Sequence, residues 1–477
     1  MKIKKILRKR RGNWYVFVLA IIFLVIIPSL RFFVMDSIMI GQESYYHLRI
    51  AGQITKTGIP VYDQMSDSNY ALNPLHLLLA LFVYLIGEKI TAIVFPFLLG
   101  ILSLYFFMKI LEKLNLDPIK KIFTLIMLFV SPIFLYTFST INSFSFPIFL
   151  MLLGFYFFIK ESKINFYLSI LIFAIIPFFG LFNLLITIIL LLFYSIFEKT
   201  KMKNFYFVTF VLLLISLVYS SPFVYPFFFP KELIFNLNVL KNILYELGAV
   251  PGFSIFIILL AIIGFLQIRS EEKRKNFIII FLLLVSSFFI TNIIFYLNFL
   301  LIISVAEGLL ALIRMRWKVK LIKKLSLIII IIGLLISSFS SIILISSLQP
   351  SEKILDSLNW LKSNSKDNEK VLSHFSNSFW IQKIAERPTF IDPTLKNNPL
   401  YDPLFNTTDI IFYSRNIDIT TSLLNKNNIT YIWIDKDMKN QKVWTKPDQG
   451  LLFLLENSKI FKKVYDRDSI EIWKFDS

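Results

Sequence analysis

A short segment after the first long apolar run carries side chains suited to acid–base chemistry and phosphate binding. Residues 41–51 read GQESYYHLRIA. In a helix, Glu43 and His47 lie at positions i and i+4 on one stripe, and Tyr45 and Arg49 share the neighbouring stripe. A carboxylate can take a proton from an attacking hydroxyl or bind a divalent cation, and a guanidinium suits phosphate oxygens. The spacing predicts a polar site on a turn and a half of helix.

The loop that contains this segment, residues 35–89, is much longer than most other connections between apolar runs. Long loops that a rigid scaffold positions often carry function. This loop also contains Asp36, Asp63 and Asp67. Each of these carboxylates could act as a base or a metal ligand, or could be an ordinary solvated loop residue.

A second apolar run lies inside the same loop. Residues 74–87 read PLHLLLALFVYLIG. About fourteen residues are few for a transmembrane helix, so we predict an interfacial or re-entrant helix. His76 lies within this run and is expected to serve packing.

The composition indicates a membrane protein. Hydrophobic residues make up 56% of the 477 positions and charged residues 17%, which leaves too little polar surface for a water-soluble body of this size. The chain has no Cys, which excludes disulfides and thiol nucleophiles, and its three His argue against a zinc centre built from several histidines.

The positive charges are distributed in a way that predicts topology. The first eleven residues and five loops between apolar runs hold 26 Lys and Arg, whereas the alternate loops hold five. Basic residues collect on the cytoplasmic side of membrane proteins, so we predict a cytoplasmic N-terminus. The net charge of +19 therefore reflects topology, and we expect no nucleic-acid partner.

The apolar runs define the expected architecture. We predict about eleven transmembrane helices in a multi-pass protein of the cell membrane. The predicted spans begin near residues 14, 90, 122, 146, 164, 180, 205, 253, 277, 296 and 325. Residues 1–346, including the loop 35–89, form the predicted membrane domain, and residues 347–477 form an extracytoplasmic α/β domain because helix-like and strand-like stretches alternate there.

Several segments, in order along the chain, resemble one known family. They are GQESYYHLRIA, GIPVYD at 58–63 and NPLHLLLAL at 73–81, followed in the tail by VLSHFSNSFWIQKIAERPTFID, ITYIWIDKDM and LLFLLENSKIFKKVYDRDSIEIWKF. Together they resemble the GT-C superfamily of polyprenyl-lipid-dependent glycosyltransferases, in particular the catalytic subunits of prokaryotic oligosaccharyltransferases. The resemblance covers nearly the whole chain and implies a GT-C-like fold.

The resemblance also implies roles for individual residues. Glu43 occupies the place of the family's catalytic carboxylate, usually Asp, and would serve as a base or as a ligand of a divalent metal such as Mg²⁺ or Mn²⁺. The resemblance implies that Tyr46, His47 and Arg49 line the site. Beyond the resemblance, the residues expected to bind substrate also include Asp63, Arg31 and Trp380. Among these, Arg31 is placed to contact a lipid phosphate from the outer end of the first span.

Two departures from the family pattern limit what the resemblance implies. The family has a second acidic motif in the loop after the third span, but residues 140–145 read TINSFS and contain no carboxylate. Hard cations require several anionic oxygens, so this change argues against a metal. The family's Trp-Trp-Asp-Tyr-Gly motif is matched by residues 374–380 (HFSNSFW), where only the aromatic end at Trp380 is kept. Recognition of Asn-X-Ser/Thr acceptors is therefore not expected.

The leading hypothesis is a membrane glycosyltransferase. It would move a sugar or glycan from a polyprenyl phosphate or diphosphate donor to a glycan, lipid or protein acceptor on the outer face, with inversion. Two alternatives are a transporter or flippase of lipid-linked sugars and a non-catalytic GT-C relative. A further carboxylate, Glu307, lies in the tenth run, where an ionisable residue is either functional or paired, here with Arg314 or Arg316.

Overall fold

Apolar helices dominate the part of the chain that the computed structural model describes, namely residues 15–16, 18–29, 39, 41–198, 201–219, 241, 243–267, 280, 282–287, 290–396 and 398–476. Its contacts divide this part into two compact units. The helical unit contains the described residues of 15–41, 89–219 and 241–348. The second, here called the loop–tail unit, contains residues 42–88 together with the described residues of 349–476.

The described part of the first 348 residues forms the helices named here α1 to α13. They are α1 (Val18–Ser29), α2 (Gln42–Thr57), α3 (Pro74–Ile86), α4 (Glu88–Lys113), α5 (Pro118–Val130), α6 (Pro132–Ser139), α7 (Ser145–Ile159), α8 (Lys163–Phe173), α9 (Leu181–Phe197), α10 (Met202–Tyr219), α11 (Ile255–Leu266), α12 (Ile294–Arg314) and α13 (Lys320–Ser346). A short antiparallel pair, β1 (Tyr62–Asp63) and β2 (Ser68–Asn69), lies between α2 and α3.

Not every apolar run is long enough to cross a membrane alone. Among the described residues, four helices are long and apolar enough, and the bent pair α5–α6 makes a fifth if it is one span. The shorter apolar helices, which have 10–17 residues, include α1, α3, α7, α9 and α11. The predicted number of about eleven crossings therefore stays a prediction, as does the side of the membrane on which each loop lies.

A break between α5 and α6 shows how the helical unit satisfies polar backbone groups. The two helices meet at an angle of 62°. Pro132 begins α6 and Ser131 before it is extended, because proline has no N–H and disfavours helical backbone in the preceding residue. Ser338 of α13 donates to the Val130 carbonyl at 2.7 Å, and Ser131 donates to Asn298 Oδ1 of α12 at 2.9 Å. Ser338 thus bonds a backbone carbonyl at the break, and the Ser131–Asn298 bond joins the break to α12 through side chains.

Two glycines allow α11 and α12 to pack closely. A methyl group on Gly308 of α12 would meet the Leu260 carbonyl and would lie 2.9 Å from the Gly264 nitrogen of α11. A methyl group on Gly264 would meet the Ser304 carbonyl. The absence of side chains at both positions is therefore what lets the two backbones touch, as is common between membrane helices.

A cavity of about 580 Å³ lies within the helical unit, lined by residues of α4, α5, α7, α9, α11 and α12. Glu307 lies at this cavity and forms an ion pair with Lys120 of α5. Arg314 instead pairs with Asp117 at 3.5 Å. Glu307 of α12 thus pairs with Lys120 of α5, where the sequence analysis predicted a pair with Arg314 or Arg316.

The tail forms a four-stranded sheet in the order β3-β4-β6-β5. Its strands are β3 (Lys370–Leu372), β4 (Ile429–Ile434), β5 (Phe461–Arg467) and β6 (Ile470–Phe475). β3 and β4 are parallel, and the other two pairs are antiparallel. Alternate residues of β4 point to opposite faces, so that Ile432 and Ile434 join one apolar cluster while Tyr431 and Trp433 join another. Strand β4 is therefore buried on both faces of the sheet.

The tail helices are α14 (Glu352–Asn364), α15 (Ser378–Trp380) with a following π-helical turn (Ile381–Ala385), α16 (Asp402–Tyr413), α17 (Ile417–Lys426) and α18 (Leu451–Asn457). The helix-like stretches of the sequence at 352–363, 378–386, 420–427 and 450–457 predict α14, α15 with its π-helical turn, α17 and α18, and the strand-like stretches at 370–373, 430–435, around 464 and 470–475 predict the four strands, all to within a few residues. A further extended stretch predicted at 388–392 forms only an isolated bridge at Thr389. The sequence pattern misses α16, whose sequence DPLFNTTDIIFY is rich in residues of low helix propensity.

Contacts attach the first loop to the tail. Met65 accepts hydrogen bonds at its carbonyl from Thr389 N (3.0 Å) and Gln382 Nε2 (3.2 Å). Ion pairs join Asp67 to Lys370 at 3.0 Å and Glu88 to Lys383 at 2.7 Å. By their contacts, residues 42–88 thus group with the tail. The division into a domain spanning 1–346 and a domain spanning 347–477 stays a prediction.

Candidate functional site

Helices α2 and α3 present the residues that the sequence singles out. α2 begins directly after Gly41, whose φ of +77° suits glycine, and has Glu43 in its first turn, where a negative charge stabilises a helix. α3 begins at Pro74 because the Asn73 side chain caps the Leu75 N–H at 2.9 Å. It ends before Gly87, so the predicted helix over residues 74–87 is confirmed as a helix.

Glu43 is the partly exposed acid of this group. Its side chain is 40% exposed, and its Oε2 lies 3.8 Å from Nε2 of His47, which is 2% exposed. This is the i, i+4 relationship that the sequence predicts. A partly exposed carboxylate can accept a proton from a bound hydroxyl, and the neighbouring imidazole can interact with the carboxylate while it does so.

The His47 ring continues into a chain of polar groups. His47 Nδ1 lies 2.7 Å from His76 Nε2, and His76 Nδ1 lies 2.8 Å from the Tyr70 hydroxyl. His76 is 1% exposed. Burial, with a smaller contribution from the nearby His47 and Arg49, holds the pKa of His76 well below its usual value. His76 was expected to serve packing, and the structure instead places it in direct contact with a candidate site residue.

Arg49 is held by Asp63 of the same loop. Its Nη1 and Nη2 donate to the two carboxylate oxygens of Asp63 at 2.7 and 2.6 Å, and both side chains are buried. Burial alone would raise the pKa of Asp63, but the Arg49 hydrogen bonds and charge, aided by Ser66 and the Met65 N–H, lower it overall. The guanidinium predicted to meet phosphate is therefore engaged within the loop, where it fixes α2 to β1.

Tyr46 is the predicted binding residue that contacts the tail. Its ring stacks on Phe379 of α15 at 4.9 Å between centroids and lies 5.4 Å from the His76 ring. Trp380, predicted to bind substrate, packs instead against an apolar cluster of the tail, and its buried Nε1 has no hydrogen-bond partner. Of these two neighbouring aromatics, Phe379 is the one that reaches the candidate site.

A buried polar cluster behind Arg49 is a feature that the sequence analysis missed. Asp392 is fully buried. Its carboxylate accepts hydrogen bonds from Gln382 Nε2 at 3.1 Å and from the Thr394 hydroxyl at 2.5 Å. It also interacts electrostatically with Arg49. Burial raises the pKa of Asp392 despite these contacts. The motif ERPTFID contains this residue but gives no hint of its partner. Arg31 and Asp36 lie outside the described residues.

The described residues do not form a cluster that fits the divalent metal considered for Glu43. Among the described residues, no three His, Cys, Asp or Glu side chains lie close enough together to hold one ion. In the loop 140–145, the amide of Asn142 is buried and bonds its own loop: Nδ2 donates to the Thr137 carbonyl at 2.9 Å, and Oδ1 accepts from Ser145 N at 3.0 Å. Asn142 therefore closes the turn, and we derive no chemical step through a metal.

Solved membrane glycosyltransferases have a similar fold. The oligosaccharyltransferase of Archaeoglobus fulgidus in its apo form matches with a TM-score of 0.65 and 14% identity, over 89% of this chain and 70% of that one. The oligosaccharyltransferase AglB of Archaeoglobus fulgidus, in complex with an inhibitory peptide and a dolichol phosphate, matches with a TM-score of 0.58 and 14% identity, over 98% and 74%. ArnT from Cupriavidus metallidurans bound to undecaprenyl phosphate gives 0.52 and 10%, over 97% and 98%.

No protein-family profile matches the sequence, and no curated protein matches it either. At identities of 10–14%, the likeness to the solved structures is one of fold. The shared arrangement extends over 89% or more of this chain in these matches. The chain therefore has the fold of the GT-C glycosyltransferases.

Proposed function

We propose that this chain is a membrane glycosyltransferase that uses a polyprenyl phosphate or diphosphate sugar as donor and Glu43 as general base. The observation that carries the proposal is the position of Glu43, a partly exposed carboxylate beside a buried histidine at the start of the first described helix after the opening apolar run. The GT-C fold supports the general kind of activity. Two proteins of that fold have been solved with a lipid phosphate bound, which supports a lipid-linked donor.

The proposed reaction is a single displacement. The acceptor's hydroxyl or amide attacks the anomeric carbon from the face opposite the phosphate, and Glu43 takes the proton that the acceptor loses. The bond between the anomeric carbon and the phosphate oxygen breaks, and the lipid phosphate leaves with the electron pair. One displacement inverts the anomeric centre.

The binding roles follow from the contacts of each residue. Tyr46, which stacks on Phe379, offers an aromatic surface beside Glu43 for a sugar ring. His47 supports Glu43, and the Arg49–Asp63 pair holds α2 in place. Arg31 is the proposed contact to the lipid phosphate. Because Trp380 packs against the tail, we do not propose that it reads an acceptor sequence.

The proposed topology follows the charge distribution. About eleven crossings would place the N-terminus in the cytoplasm and both the first loop and the tail on the outer face of the cell membrane. The donor is then a lipid-linked sugar in the outer leaflet, and the acceptor is a glycan, lipid or protein outside the cell.

Mass spectrometry of lipid-linked sugars and surface glycans tests the proposed function. In cells that lack the gene, one polyprenyl-linked sugar should accumulate and one surface glycan should lose the corresponding residue. Purified protein should then transfer that sugar in vitro and release the lipid phosphate. If purified protein moves the intact lipid-linked sugar across a bilayer without releasing lipid phosphate, the chain is a transporter; if neither pool changes in the cells, it is a non-catalytic relative.

A further inference from the structure

Two buried histidines connect Glu43 to a tyrosine that is partly exposed. His47 Nε2 faces Glu43 at 3.8 Å, and His47 Nδ1 faces His76 Nε2 at 2.7 Å. His76 Nδ1 faces the Tyr70 hydroxyl at 2.8 Å, and Tyr70 keeps part of its surface exposed. All four residues belong to the loop–tail unit. The four ring nitrogens thus lie in series between a carboxylate and a phenol, with two hydrogen-bonding contacts and one longer gap of 3.8 Å at Glu43.

We propose that His47, His76 and Tyr70 form a proton relay that carries the acceptor's proton from Glu43 to solvent. This inference rests on the proposed function of Glu43. The two histidines and Tyr70 act through Glu43 and do not touch substrate, so they are positioning residues for its protonation state and not catalytic residues themselves.

A relay has a purpose only if direct exchange with water is blocked during turnover. The 40% of the Glu43 side chain that is exposed is the part available to an acceptor. An acceptor and a donor sugar bound there would cover that part and exclude water, as closed active sites do. The side of Glu43 that faces His47 then stays in contact with a group that can accept a proton.

The proton balance of one turnover is as follows. At rest, His47 carries its proton on Nδ1 and His76 on its own Nδ1. Protonated Glu43 gives its proton to His47 Nε2, while His47 Nδ1–H passes a proton to His76 Nε2. His76 Nδ1–H passes a proton to the Tyr70 oxygen, whose own proton leaves to water. One proton enters and one leaves, and both rings end in the other neutral tautomer.

Geometry and charge are both compatible with this transfer. The two short contacts are within hydrogen-bonding distance, and the longer gap of 3.8 Å between Glu43 and His47 is of the kind that tightens when substrate binds. The pKa of His76 is held well below its usual value by burial and then by His47 and Arg49. The charged and polar groups that face the two rings include Glu43, Arg49 with its partner Asp63, Tyr46 and Tyr70. The lowered pKa keeps the His76 ring neutral near neutral pH.

The test uses purified full-length protein and the lipid-linked donor identified in the mass-spectrometry experiment. His76→Ala should lower kcat about 10-fold to 100-fold and leave the donor KM unchanged, and added imidazole should restore part of kcat. Tyr70→Phe should lower kcat several-fold and reduce the solvent isotope effect. Tyr413→Phe is the matched control, because Tyr413 donates to the Val443 carbonyl in the tail, away from the relay.

The relay requires both imidazole rescue of His76→Ala and an effect of Tyr70→Phe, and the absence of either overturns it. Should His76→Ala fail to fold, Tyr70→Phe decides the question, and wild-type kcat and isotope effect in that variant refute the relay. If Glu43→Gln is inactive while the relay variants behave as wild type, the relay fails and the proposed function stands. If Glu43→Gln keeps full turnover, the proposed role of Glu43 fails first.

Discussion

Arg49 donates two parallel hydrogen bonds, of 2.7 and 2.6 Å, to the carboxylate of Asp63, and both side chains are buried. The pair joins the helix that carries Glu43 to the short strand β1 on the other side of the loop. Arg49 also interacts with the tail, because its positive charge opposes the rise that burial causes in the pKa of Asp392. The position of Glu43 therefore depends on an ion pair that does no chemistry itself.

Removing one partner of this pair should destabilise the loop–tail unit strongly. We expect Arg49→Gln to lower the free energy of unfolding by about 3–5 kcal/mol, because a buried carboxylate is left without its counter-charge. Thermal unfolding of the purified protein in detergent measures the effect. Lys362→Gln is the control, since its pair with Glu386 is exposed and worth about 0–1 kcal/mol. Equal effects from the two variants would contradict the proposed structural role.

The same pair predicts how stability depends on pH. The folded pKa of Asp63 is lowered below its usual 3.8. Its contribution is therefore fully present above the unfolded pKa and is lost as pH falls through the folded value. The difference in unfolding free energy between wild type and Asp63→Asn should shrink as the pH falls from about 5 towards 2. A difference that stays constant or grows over this range would show that the Asp63 pKa is not lowered by folding.

Asn142 offers a test of the metal question. Asn142→Asp restores a carboxylate to the loop that is acidic in the related family. The new carboxylate would face the Thr137 carbonyl, to which the amide now donates. We expect a loss of about 1–3 kcal/mol in stability and no gain in Mg²⁺ or Mn²⁺ dependence. Turnover of the wild type should also survive EDTA; loss of turnover on chelation and its recovery with Mn²⁺ would overturn this prediction.

The contact between α11 and α12 predicts a strong effect of a small substitution. Gly308→Val should separate the two helices, because the added carbon atoms would overlap the Leu260 carbonyl. Overpacking of this kind costs about 1–3 kcal/mol or more. Gly52→Ala in α2 is the control, since no atom lies within 4 Å of the added methyl group. That change should stabilise the protein by about 0.5–1 kcal/mol, because alanine favours a helix interior. Similar stability of the Gly308 variant and the wild type would show that the close packing is not needed.

Local patterns in the sequence predict local structure well. The pairing of Glu43 with His47 follows from helical spacing, and the bounds of α3 follow from Pro74 and Gly87. The contact between His47 and His76 joins residues that are 29 positions apart and depends on how α2 packs on α3. Periodicity along one helix cannot supply such a contact.

The sequence-based expectations differ from the structure mainly where side chains of different helices contact each other. Glu307 pairs with Lys120 on another helix, although Arg314 and Arg316 are nearer in sequence. Trp380 and Phe379 are neighbours on one helical turn and therefore point in different directions. Which of the two faces α2 depends on the rotation of α15, and that rotation is set by the packing of the tail.

The most direct measurement of the central claim is turnover by purified Glu43→Gln protein with its lipid-linked donor. Glutamine keeps the size of the side chain but cannot accept the proton. The proposal predicts that kcat falls by about 100-fold or more while binding of polyprenyl phosphate is retained, and that Glu456→Gln, an exposed carboxylate of the tail, behaves as wild type. Wild-type kcat in Glu43→Gln would contradict the proposal.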